Sequence, residues 1–173
     1  MELSKLVQAS IYAALAIGAG FALFMIPNVE LISVIVFLAG MHLGFRWGIL
    51  IGLTAEMVFS GLNPMGSGLM FPPLFLSQMV GMALIGLWGG LMNRFFFKKN
   101  LSVFKMMILG VIGFFLTFIF DSLTTLSYPL SAGFDFTKTM GLYISGMGFT
   151  ILHQMANGVI FAIGVPRVTQ YLG

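Results

Sequence analysis

The chain has 173 residues, of which 59% are hydrophobic and only 8% charged, whereas a soluble domain carries roughly 25% charged residues. That balance excludes an ordinary soluble domain and points to an integral membrane protein. The formal net charge of +3 is no nucleic-acid signal here, because lysines and arginines in a membrane protein report topology. With no cysteine in the chain, disulfides and thiolate metal sites are excluded as well.

A membrane-spanning helix needs about 20 mostly apolar residues. The first such stretch covers residues 7–26 and stops at Pro27-Asn28. One lysine, Lys5, precedes it, as in a signal peptide, but the run continues too far and reads as a retained first helix. Residues 30–45 form a second, short helix ending at His42-Leu-Gly-Phe-Arg46, and residues 47–62 a third that is also short. Two short neighbours suggest shielding by protein or a locally thinned bilayer. After an Asn-Pro-Met-Gly-Ser-Gly turn the fourth helix covers 69–92, with Pro72 and Pro73 in its first turn, where missing amide donors matter least. Residues 93–100 form an interfacial linker. The fifth helix covers 103–128 and is expected to end at Pro129; a loop over 130–140 leads to the sixth, 141–165.

This is a single all-α domain over residues 1–173 with six spans, which places both termini on one side. Lys5, Arg46, Arg94, Lys98, Lys99, Lys105 and Arg167 share that side, and Lys138 stands alone opposite. The bias predicts cytoplasmic termini in a multi-pass protein of a prokaryotic cell membrane. The glycines of the fourth helix (Gly81, Gly86, Gly89, Gly90) read as points of close helix packing.

Polar residues recur at helical spacing on three helices. The third carries Glu56, Ser60 and Asn63; the fifth carries Asp121, Thr125 and Tyr128; the sixth carries Tyr143, Thr150, His153, Gln154 and Asn157. Gln78 joins them at similar depth, next to Ser77. A lone Thr or Asn reads as a bond between helices, typically worth about 0.6 kcal/mol. Two acids and a histidine inside the membrane are too costly for that role alone. The expectation is that Glu56, Asp121 and His153 converge on an outward-facing pocket, with Asn63, Gln78, Thr125, Tyr128, Gln154 and Asn157 as further substrate-binding groups. Asn28 and Glu30 sit at the rim, where a cap or interface role is as good a reading as ligand contact.

No catalytic constellation is visible, and the chain is not expected to be an enzyme or to hold a cofactor. Gly66-Ser67-Gly68 and His153 superficially fit an intramembrane serine protease. Met65 stands where that motif has glycine, however, and Ser67 lies in a turn. Walker A and zinc-type HExxH patterns are absent, so ATP hydrolysis would need another subunit. On the first helix Ala9, Ala13, Ala16 and Gly20 form a smooth strip, widened by Ala14 and Gly18. Such a strip docks another helix closely, either internal or from a partner.

The Ala-x-x-x-Ala strip, IPNVEL, the FLAG…G…G run, GL..E..FS..NP.G and FDSLT together resemble the substrate-binding S component of energy-coupling factor (ECF) vitamin transporters, over essentially the whole chain. The resemblance implies capture of a vitamin or related micronutrient from outside. It also implies docking on a transmembrane T component with two ABC ATPases, and release after reorientation in the membrane. It carries the docking face to Ala9 and Ala13, with Ala16 continuing the strip, and places the pocket toward the outside. Where the metal-transporting branch has histidine at the second position this chain has Glu2, so no metal is expected.

A channel would need polar lining on both sides of the midplane, which the inner halves of the fourth and fifth helices lack. A stand-alone proton- or ion-coupled carrier is the alternative, with Glu56, Asp121 and His153 as relay groups. Acids, a histidine, amides and aromatics (Phe71, Phe75, Tyr128, Phe134, Phe136, Tyr143) suit a small heteroaromatic with several hydrogen-bond donors.

Overall fold

A helix apolar on all sides has no face to offer water and becomes the centre of a bundle. The sequence ISVIVFLAGMHL is such a helix. In a computed structural model, which describes residues 3–97 and 102–172, nine of its 12 residues are buried. Around this helix, α2 (Ile32–Leu43), are arranged α1 (Leu3–Leu23), α3 (Phe45–Gly61), α4 (Pro72–Phe96), α5 (Val103–Ser131) and α6 (Phe136–Thr169). A 3-10 turn, Gly68–Met70, precedes α4, and no strand occurs among the described residues. α2 touches α1, α3, α4 and α6, while α5 packs between α4 and α6.

Glycine lets three of these helices meet backbone to backbone. A Cβ on Gly86 would overlap the Gly48 carbonyl, and one on Gly40 or Gly48 would overlap the Gly86 carbonyl. Gly89 lies against the Phe37 carbonyl and Gly52 against that of Met82. The α2–α3–α4 seam therefore has no room for a side chain at these points, as the reading of the α4 glycines predicts. α2 and α3 are joined by one residue, Gly44, whose φ of 98° suits glycine. The Arg94 end of the bundle is tied by the Tyr12 hydroxyl at 3.1 Å from His42 Nδ1 and by His42 stacked on Phe97 at 5.6 Å.

Four helices (α1, α4, α5, α6) are long and apolar enough to cross a membrane. At about 1.5 Å per residue, α2 and α3 are shorter than the roughly 30 Å hydrocarbon core. Lys98 and Lys99, on which the expected orientation partly rests, and Glu2 lie outside the described residues.

Three expected boundaries are corrected. α5 does not stop at Pro129 but runs through it to Ser131, since proline in a last turn forfeits only one bond, to the Thr125 carbonyl. α6 starts at Phe136, so the connection spans 132–135 rather than 130–140. Gly133 takes a φ of 69° there, and Asp135 caps α6 by accepting from the Lys138 N–H at 2.9 Å. That backbone bond, with the Lys138 side chain, holds the Asp135 carboxyl below its ordinary pKa. α6 also continues past 165 through Pro166 to Thr169.

Candidate functional site

α2 is short at one end, and that shortness makes a site. Its first turn begins at Ile32, so the connection from α1 passes over the bundle where further turns of α2 would otherwise stand. Asn28 bends this connection with a φ of 61°, a left-handed conformation that asparagine tolerates better than most residues. Between this connection, the C-terminal ends of α1 and α3, the second half of α5 and the middle of α6 lies an open cavity of about 410 Å3, within the range typical of small-molecule sites. Phe24, Phe59, Phe120 and Phe149 supply its aromatic walls, and Asn28, Glu30, Asn63, Asp121 and His153 its polar groups.

The charged groups form one hydrogen-bonded cluster. His153 Nδ1 lies 2.9 Å from Asp121 Oδ1, the geometry in which an Nδ1–H donates to an ionised carboxylate. Gln154 Nε2 donates to the other Asp121 oxygen at 3.3 Å. On the far side of the ring, His153 Nε2 is 3.9 Å from Glu30 Oε1. Asn157 Nδ2 donates to Glu30 Oε1 at 2.7 Å and to Thr117 Oγ1 at 3.0 Å, and lies 3.3 Å from His153 Nε2. The second Glu30 oxygen accepts from the Ser33 N–H at 2.9 Å and so caps α2. Asn157 is wholly buried, and its Oδ1 has no hydrogen-bond partner.

The nine expected substrate-binding residues divide. Asp121, His153, Gln154 and Asn157 come together as described, and Asn63 lines the cavity while its Oδ1 accepts from the Met65 N–H at 2.9 Å. Glu56 does not join them. It is 2% exposed, accepts from the Ser60 hydroxyl and is absent from the cavity wall. Gln78 packs beside Gly68 with its Oε1 buried and unpartnered. Thr125 and Tyr128 also stand outside the wall, and exposed Tyr128 lies between Phe71 and Phe134 at 5.9 and 5.6 Å.

The expected aromatic walls are corrected too. Phe71, Phe75, Tyr128, Phe134, Phe136 and Tyr143 do not line the cavity, and the Tyr143 hydroxyl instead meets Ser122 Oγ at 2.7 Å. The walls come instead from Phe24 in the α1–α2 connection and from Phe59, Phe120 and Phe149 on α3, α5 and α6. Glu30, read as a rim residue, is central. Its one sequence signal is an acid between Val29 and Leu31, directly ahead of a helix that is apolar but for Ser33 and His42.

On α1 the small strip faces inward. Ala9 and Ala16 are buried and Gly20 packs against Ile32 and Phe59, while Ala13 is half-buried. Ala9 and Ala13 floor a shallow groove of about 260 Å3 between α1 and α3, with Leu6, Trp47 and Leu50 on its sides. No protein-family model, curated protein or solved structure matches this chain.

Proposed function

We propose that the chain is the solute-capturing S component of an ECF-type importer, with six spans and cytoplasmic termini in a cell membrane. One observation carries this reading: an open cavity at one end of a membrane-type bundle, walled by phenylalanines and holding the Asp121–His153–Glu30 cluster. Ionised groups at such depth are expensive unless they serve a ligand or a transported ion. The buried α2 and the close-packed glycine seam support a binding chamber rather than a pore. The motifs shared with S components and the basic residues at the Arg94 end agree with capture from outside. The groove over Ala9 and Ala13 is the place where a T component would dock. The solute is a small ring compound rich in hydrogen-bond donors, because the cluster offers mainly acceptors.

A stand-alone proton-coupled carrier is the second reading, and Glu56 favours it: a buried carboxyl outside the cavity, paired with Ser60. Purification of the tagged chain from its native membranes separates the two. Capture with coupling predicts that a T component and two ATPases co-purify, and that Ala13→Trp removes them while the chain stays folded. Uptake driven by a proton gradient without those subunits would replace the first reading with the second.

A further inference from the structure

The charges and rings of the cavity define which solute it accepts. We propose that the cavity takes a small organic cation with N–H donors, such as a protonated amine or a positively charged nitrogen ring. Its charge lies against Asp121 and Glu30, and its body lies among the phenylalanine rings. This rests on the capture reading above and narrows its substrate class.

The charge count favours a cation. Two carboxylates and one histidine line the cavity, and no lysine or arginine among the described residues does. With both carboxylates ionised, even a doubly protonated His153 leaves one negative charge unbalanced. Lys138, the nearest basic residue along α6 toward this end, is 71% exposed and occupied with Asp135 at 3.2 Å. An anionic solute would meet both carboxylates with nothing but His153 to offset them.

The rings point the same way independently. Phe24, Phe59, Phe120 and Phe149 come from four different segments and share one cavity with the carboxylates. A phenyl face attracts a cation within about 6 Å, and the attraction strengthens where water is excluded. Phenylalanine brings no hydroxyl or ring N–H, so these walls discriminate by shape and charge.

Calorimetric titration of the purified full chain in detergent with three probes of one size tests this: benzylammonium, benzyl alcohol and benzoate. The cation should bind roughly 10-fold or more tightly than the alcohol, and benzoate should bind least. Asp121→Asn should weaken the cation roughly 10-fold and leave the alcohol unchanged, and Glu30→Gln serves if that variant does not fold. Tighter binding of the alcohol or of benzoate overturns the cation assignment and leaves solute capture standing. Binding of none of the three overturns the assignment as well. Solute capture then falls only if the purified chain also retains no small molecule.

Discussion

Two carboxylates of similar depth have different roles at the residue scale. Asp121 faces the cavity and is held by His153 and Gln154. Glu56 is enclosed, with Ser60 as its hydrogen-bond donor. Losing a bond to a charged group in a buried site typically costs about 1.5–3 kcal/mol, so Asp121→Asn should weaken solute binding at least roughly 10-fold. Glu56→Gln should leave binding unchanged and the fold intact, because the amide keeps the volume and removes a buried charge. Titration of retained or added solute against both variants checks this, and equal loss in both would return Glu56 to the site. The grouping of His153, Gln154 and Asn157 on one face of α6 was legible because helical spacing sets which residues share a face. Glu30 was not legible, since it meets Asn157 across 127 positions and periodicity says nothing of partners on other helices. The same limit separated Glu56 from Asp121: spacing shows a stripe but not what the stripe faces.

At the scale of elements, the α2–α3–α4 seam is the rigid part and the short α2 is what opens the site. Overpacking a filled interior costs about 1–3 kcal/mol. Gly86→Ala, whose methyl would overlap the Gly48 carbonyl, should lower the thermal midpoint in detergent. Gly18→Ala, with open space around its Cβ position, should leave the midpoint unchanged or raise it. Equal midpoints for the two variants would mean that the helices are not in backbone contact. The α4 glycines announced this seam in the sequence, because small residues there have no other packing role. Two helix ends were less legible. Pro129 and Pro166 read as stops, yet a proline near a helix C-terminus removes one donor and leaves the last turn in place. The cavity itself was hidden, since it depends on where α2 begins relative to its neighbours.

At the scale of the molecule, the account needs the Glu30 end to face outward. The chain has no cysteine, so single cysteines can be introduced without a background. Cysteine at Met65 or Ser131 should react with an impermeant reagent added to intact cells, and cysteine at Ser102 should not. All three positions are exposed, so the reversed pattern would place the cavity on the cytoplasmic side and remove the capture reading.

The most direct test of the central claim is mass spectrometry of small molecules released from the purified chain and from its Asp121→Asn and Glu56→Gln variants. The cavity account predicts one solute, released from the wild type and from Glu56→Gln and depleted from Asp121→Asn. A folded wild type that releases no solute, or equal amounts of one solute from all three proteins, would contradict it.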